Sequence, residues 1–162
     1  QLYLYNALWP IFIFIIIPQY KSIGFIQTVS LVISIAVFYF VGVWVDKFNR
    51  NKLILLGSMS NTIIGVVRVF ANSFTQVFVF NTLALFTNNL KGVPFAAKFQ
   101  EHMDTEARTE YMFLFDIGGT TITLIALLIL AILFSSMPLK ESLILGLIIA
   151  SVSGLFVNFV RK

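Results

Sequence analysis

The sequence GVWVDKFNRNK, residues 42–52, is a short charged stretch between two long apolar runs. The apolar run before it covers about residues 22–45, and the run after it covers about residues 52–70. Both are continuous rather than alternating, and both have about the length of 20 residues that an α-helix needs to cross a bilayer core. They therefore predict two membrane helices joined by a tight polar turn.

Composition supports the same class of protein. Of the 162 residues, 59% are hydrophobic and only 11% are charged, against about 25% charged in soluble domains. This excludes a disordered chain, a basic nucleic-acid-binding domain and an ordinary soluble enzyme. The chain has no cysteine and a single histidine, His102, so neither a thiolate zinc site nor a cysteine nucleophile is predicted.

Four further apolar runs complete the prediction of an all-α membrane protein with six transmembrane helices. They cover about residues 2–17, 74–99, 107–134 and 139–160. Six helices of about 20 residues take about 120 residues and leave about 40 for short connections. Residues 1–162 are therefore expected to form one six-helix transmembrane domain.

Basic residues predict the orientation of this bundle. If the turn at residues 46–52 is cytoplasmic, that side holds seven lysines and arginines against three on the other side. The seven are Lys47, Arg50, Lys52, Lys98, Arg108, Arg161 and Lys162; the three are Lys21, Arg68 and Lys140. We therefore expect a multi-pass protein of the inner or plasma membrane with both ends in the cytoplasm. The net charge of +4 then needs no nucleic-acid partner.

Residues 42–52 resemble the signature loop of the major facilitator superfamily of secondary transporters, G-x-x-x-D-[RK]-x-G-R-[RK]. The matching residues are Gly42, Asp46, Lys47 and Arg50. Asn49 replaces the second glycine, a mild change because asparagine tolerates the left-handed backbone conformation. The last basic residue, Lys52, comes one place late. At a coarser level, the six helices with short outer corners extend the resemblance over the whole chain.

The resemblance implies one half of a twelve-helix transporter, built of 3+3 inverted helix repeats and working by alternating access. A small-molecule substrate is then expected, with a proton or cation as coupling ion, and no cofactor or metal. The first residue is not methionine, which suggests a fragment, and the stop just after the sixth helix favours the C-terminal half. The expected partners are the other six-helix half and the lipid bilayer.

The turn also has a physical interpretation of its own. Gly42 lets another helix approach closely at the membrane surface. Asp46 opposes the dipole of its own helix and therefore needs another partner. Arg50 and Lys52 can pair with an acid of the loop between helices four and five; the candidates are Glu101, Glu106 and Glu110.

In the resembled family such contacts hold the cytoplasmic side closed and break when that side opens. The residues of this predicted conformational latch are Gly42, Asp46, Lys47, Arg50 and Lys52. The alternative is a basic turn that only sets the topology.

A polar face on the fourth helix predicts a cavity. Asn81, Asn88 and Lys91 fall near one face of that helix, and such a face does not point at lipid. In the resembled fold the first and fourth helices line the central cavity, which adds Asn6 and Trp9 to the substrate-side candidates. Trp9 is equally well explained as an interfacial anchor.

Three ionisable residues fall inside predicted helices. Lys91 and Asp116 each lie about 10 Å from a helix end, so antiparallel packing of the fourth and fifth helices predicts an ion pair, direct or through water. The pair is either a gate or proton-coupling site, or a structural contact that fixes the helix register. Arg68, near the outer end of the third helix, is expected to snorkel to the interface.

Small and polar residues predict where helices pack. Small residues recur at every fourth position of the third and sixth helices and predict packing seams. These residues are Gly57, Asn61 and Gly65, and then Gly146, Ala150, Gly154 and Asn158. Polar stripes on the second and fifth helices predict interhelical hydrogen bonds and close packing, with the lining of a polar cavity as the alternative; they are Gln27, Ser30 and Ser34, and then Asp116, Thr120 and Thr123.

Secondary transport of a small solute is therefore the predicted function, with two alternatives. A channel is disfavoured by the lack of a TVGYG filter or a ring-forming acidic motif. A non-transporting membrane scaffold or assembly subunit is the other alternative. No enzyme is predicted, because the sequence shows neither a catalytic triad nor paired carboxylates in a plausible cavity.

Overall fold

A computed structural model describes residues 2–102, 108–153 and 155, and these ranges are helical apart from the short turns between helices. The helices are α1 (Leu2–Ile16), α2 (Tyr20–Lys47), α3 (Arg50–Val67), α4 (Phe74–His102), α5 (Arg108–Ser136) and α6 (Leu139–Ser153). A short 3₁₀ turn, Arg68–Phe70, follows α3. No strand occurs in the described ranges. The predicted all-α fold with six helices is confirmed.

Three segments are long and apolar enough to cross a membrane: Tyr20–Lys47, Arg50–Phe70 and Asp116–Ser136. The sequence predicted six such helices, so length and composition support half of them among the described residues. α1 is shorter, and the amide and hydroxyl side chains of α4 lower its mean hydropathy. Only 6% of the most apolar window in α5 is buried within the bundle. Such apolar outer surfaces suit a lipid environment.

The helices pack in two connected groups. α4 packs against both α2 and α3, while α6 packs against α1, α3 and α5, so that α3 joins the two groups. The larger core cluster centres on Phe12 and Ile13 of α1 and on Leu143 and Leu147 of α6. A smaller cluster of Val41, Val45 and Leu53 lies beneath the α2–α3 turn.

Glycines bring several helices into close contact. A Cβ atom at Gly57 would lie 2.6 Å from the backbone nitrogen of Lys91, so α3 and α4 meet there backbone to backbone. A Cβ atom at Gly146 would lie 2.6 Å from the side chain of Leu130. Gly65 lies against the side chains of Ser151 and Tyr5. The predicted seams are confirmed at these three glycines, while Gly154 and Asn158 lie outside the described side chains.

Gly42 does not have the predicted packing role. A Cβ atom there would meet nothing within 4 Å among the described residues. The physical reason is the orientation of α2, whose inward side near the turn carries Val41 and Val45. These two valines, rather than the glycine, fill the space beside α3 and α4.

Polar side chains of α2 bind α4, as its stripe predicts. The hydroxyl groups of Ser30 and Thr82 share a hydrogen bond of 3.1 Å, and the Asn89 amide donates to Ser34 Oγ at 2.8 Å. In α5, by contrast, Thr123 donates to the carbonyl of Gly119 in its own helix. Asp116 and Thr120 are exposed. The described part of α5 therefore lacks the predicted interhelical bonds.

Candidate functional site

A cavity of about 290 Å³ lies among α1, α2, α3 and α4. This volume is near the lower end of the range for small-molecule sites, roughly 300–1,000 Å³. The lining residues are Tyr5, Asn6, Trp9 and Pro10 of α1, Gln27 of α2, Asn61 and Arg68 at α3 and its end, and Asn81, Ala84, Leu85 and Asn88 of α4. The sequence-predicted Asn6, Trp9, Asn81 and Asn88 are thus brought together.

Trp9 and Asn81 connect the two principal walls of the cavity. The indole Nε1–H of Trp9 donates to Asn81 Oδ1 at 2.9 Å, and both residues are buried. A tryptophan that anchors a helix at the membrane interface keeps its ring among the headgroups. Because Trp9 is only 4% exposed, the cavity interpretation holds and the anchor interpretation does not.

Arg68 occupies the most unexpected position in the structure. It is 2% exposed, and its Cζ lies 3.5 Å from the ring centroid of Tyr5 and 4.0 Å from that of Trp9. The predicted snorkelling of Arg68 to the interface is therefore wrong. The physical reason is that α3 ends at Val67, and the two aromatic rings stabilise the cation inside the bundle by cation–π contact.

Three polar atoms of the cavity residues lack hydrogen-bond partners within the described part of the chain. They are Nε and Nη2 of Arg68 and Nδ2 of Asn81, and all three are buried. Most buried polar atoms in folded proteins are paired, and leaving one unpaired is costly. Because these three are all donors, the cavity has an excess of hydrogen-bond donors beside a positive charge.

Hydrogen bonds from neighbouring helices fix the walls around Arg68. The Tyr5 hydroxyl donates to the Gly65 carbonyl at 3.2 Å, which holds the ring beneath the guanidinium. Further along α3, Thr87 Oγ1 donates to Asn61 Oδ1 at 3.2 Å. The walls are therefore preorganised by contacts that join α1 to α3 and α3 to α4.

Lys91 and Asp116 do not meet. Lys91 is buried, and its backbone lies against Gly57 of α3, whereas Asp116 is exposed on α5. The ion pair that the structure shows between two described residues joins Arg50, beside the α2–α3 turn, to Glu101. The prediction assumed that α5 packs on α4, but α5 packs instead on α1 and α6. Lys91 is also not among the residues that line the cavity.

Polar contacts join α3 and α4 at the α2–α3 turn. Arg50 forms an ion pair with Glu101, one of the three predicted acids, and Lys98 Nζ donates to Asn51 Oδ1 at 3.2 Å. Of the other two acids, Glu110 is exposed and Glu106 lies outside the described residues. The remaining charged residues of the predicted latch are exposed; they are Asp46, Lys47 and Lys52.

Asn49 has a different role from the one predicted for it. Its φ of −63° is not left-handed, so tolerance of that conformation does not explain the residue. The side chain instead caps the N-terminus of α3, where Oδ1 accepts hydrogen bonds from the backbone N–H groups of Asn51 and Lys52 at 3.0 and 3.4 Å. A glycine at this position cannot make these bonds.

Four polar or aromatic residues of the cavity were not among the substrate-side candidates, although cavity lining was the alternative for Gln27; they are Tyr5, Gln27, Asn61 and Arg68. One signal was available for the last two. Asn61 and Arg68 are seven residues apart, or two helical turns, and therefore lie on one face of α3. When a charged residue shares a helix face with an amide residue, the pattern predicts a polar interior for that face more than a position at the membrane interface.

The candidate site therefore has two parts, the cavity and the polar contact at the α2–α3 turn. Along α3, Arg50 and Asn61 are separated by roughly 16 Å, so the contact lies beyond one end of the cavity. No protein-family model matches this sequence, and neither a curated protein nor a solved structure matches it.

Proposed function

We propose that the chain carries out secondary active transport of a small solute by alternating access. The observation that carries this proposal is the polar cavity inside a bundle whose outer surface is apolar. Amide groups and a charged residue inside a membrane bundle are costly and mark substrate pathways. A site between helices near the middle of the bundle is also where secondary transporters bind their substrates.

The contact between Arg50 and Glu101 supports a gate at one end of this pathway. The two side chains are partly exposed, at 32% and 60%, and exposed ion pairs contribute only about 0–1 kcal/mol. Such a contact breaks and re-forms easily. We assign the latch to Arg50 with the exposed Asp46, Lys47 and Lys52 near it, and we place this end in the cytoplasm with both chain termini.

The resemblance to the major facilitator superfamily agrees with the composition of the cavity walls. It implies that the first and fourth helices line the cavity, and α1 and α4 supply most of the lining here. In this proposal the six helices are one half of a transporter of the inner or plasma membrane. Asp116 is exposed at the start of the long apolar segment of α5, which suits contact with another protein segment more than with lipid.

The cavity is testable by cysteine labelling, because the chain has no cysteine of its own. In proteoliposomes, the variant Ala84→Cys is expected to react with a charged, membrane-impermeant methanethiosulfonate reagent added on either side. Alternating access predicts this result because each face of the cavity opens in turn, although the two sides are never open together. The measurement is the labelling rate from each side.

The matched control is Ile122→Cys, whose side chain is 68% exposed on the apolar surface of α5 and is expected not to react from either side. Labelling of Ala84→Cys from one side only would contradict transport and favour a scaffold. A steady ionic current across the same membranes, which requires both sides to be open together, would favour a channel instead.

A further inference from the structure

We propose that the cavity binds a small organic anion, and that Arg68 holds its carboxylate or phosphate group with help from the Asn81 amide. The role of this anion as the transported solute rests on the proposed function above. Its binding does not, since binding follows from the chemistry of the cavity alone.

The first argument is the set of unpartnered donors. Arg68 Nε, Arg68 Nη2 and Asn81 Nδ2 are buried and have no acceptor within the described part of the chain. A ligand that satisfies three donors must offer several acceptors in a small volume. Carboxylate and phosphate groups do so, whereas a hydroxyl group also brings a donor of its own.

The second argument is the geometry of the guanidinium group. Nε–H and one Nη2–H point from the same edge of the group, which is the edge that forms paired hydrogen bonds with two oxygens of one anion. The Cζ atom of the group lies over the rings of Tyr5 and Trp9, at 3.5 and 4.0 Å from their centroids. These contacts hold the cation but give no acceptor to Nε or Nη2, so the paired donors are left for a ligand.

The third argument is charge balance. No aspartate or glutamate lines the cavity, so its described wall carries the charge of Arg68 without a compensating carboxylate. The acidic side chains described elsewhere are all exposed; they are Asp46, Glu101, Glu110, Asp116 and Glu141. A buried cation in an apolar bundle favours an anion over a neutral solute of the same shape.

The remainder of the cavity indicates what the body of the anion is like. Asn61 lies roughly 10 Å from Arg68 along α3, and Asn88 also lines the wall. Asn6 and Gln27 add two further amides. A body with hydroxyl or amide groups matches these walls, whereas the alkyl chain of a fatty acid leaves the amides without partners.

The test compares each anion with a neutral polyhydroxy compound that lacks the anionic group. The full chain in detergent is titrated with gluconate against glucose, and with glycerol 3-phosphate against glycerol, at constant ionic strength. Binding is measured by thermal shift and by isothermal calorimetry. We expect at least one of the two anions to raise Tm and to give a saturable isotherm, whereas glucose and glycerol do neither. The anion that binds then identifies a carboxylate or a phosphate as the preferred group.

The variant Arg68→Gln is expected to weaken binding of that anion by about tenfold or more, because it removes a charge-assisted pair of hydrogen bonds. Arg68→Lys keeps the charge but lacks the planar pair of donors, so its affinity for the anion should lie between that of the unaltered chain and that of Arg68→Gln. The control Lys140→Gln removes an exposed cation at the start of α6 and should bind as the unaltered chain does.

Three results would overturn the inference: equal Tm shifts with the anion and its neutral partner, no shift with either anion, or unchanged anion binding in Arg68→Gln. The comparison of anion with neutral ligand uses the unaltered chain, so it holds even if Arg68→Gln does not fold. Anion binding without two-sided labelling of Ala84→Cys would contradict transport alone. Two-sided labelling without anion binding would contradict the inference that the cavity binds an anion, and would leave the proposed transport standing.

Discussion

Replacement of Gly57 with valine is expected to be among the most disruptive single substitutions in the described bundle. A Cβ atom at this position would lie 2.6 Å from Lys91 N and 2.9 Å from both Lys91 Cα and the carbonyl carbon of Leu90. These are backbone atoms of α4, so no side chain can rotate away to make room. The two helices must move apart, and overpacking of this kind costs about 3 kcal/mol at the upper end of its usual range.

For a chain of this size, a loss of about 3 kcal/mol corresponds to a fall in Tm of roughly 6–12 °C. The matched control is Gly92→Val, which lies in α4 beside Lys91 and has nothing within 4 Å of its Cβ position among the described residues. It carries the same penalty for a β-branched residue in a helix but none of the steric clash. Equal melting temperatures for the two valine variants would show that α3 and α4 do not meet at Gly57.

Reversal of the charge at Arg50 is expected to have the largest effect on access to the cavity. Arg50→Glu removes the ion pair with Glu101 and sets two like charges together, so α3 and α4 should separate more often at that end. Loss of the pair and the added repulsion together amount to about 1 kcal/mol, or roughly a fivefold change in an equilibrium. In Ala84→Cys proteoliposomes, labelling from the α2–α3 turn side should therefore rise about fivefold.

Restoring the opposite charge provides the control for this result. Addition of Glu101→Arg to Arg50→Glu re-forms the pair in the reverse sense and should return labelling to the original rate. Lys140→Glu makes the same charge change at the start of α6 and should have little effect. If the double variant labels as fast as the single variant, the ion pair does not control opening. An unchanged rate in Arg50→Glu would lead to the same conclusion.

The sequence predicted the polar wall of the bundle because a helical face repeats at a fixed interval. Asn81 and Asn88 are two turns apart on α4, and amides that recur on one face of a long helix predict an interior face. The packing at Gly57 and the pairing of Arg50 with an acid were also predictable, because small residues and opposite charges leave direct signals in sequence.

The features that were not predictable depend on how the helices are arranged in space. The shared face with Asn61 was a signal that Arg68 lies inside, but its cover by two aromatic rings of α1 depends on helix packing that the sequence of α3 does not contain. The separation of Lys91 and Asp116 has a similar cause: α5 packs on α1 and α6. Asn49 was explained by its tolerance of a left-handed backbone conformation, whereas its side chain caps the N-terminus of α3.

The central claim is that the cavity opens at the α2–α3 turn when the contact between α3 and α4 is released. It is tested most directly by cross-linking Arg50→His and Glu101→His through a Ni²⁺ ion in proteoliposomes, after which labelling of Ala84→Cys is measured from each side. We predict that the cross-link reduces labelling from the α2–α3 turn side to background and leaves labelling from the opposite side intact. Unchanged labelling from the α2–α3 turn side would contradict the account.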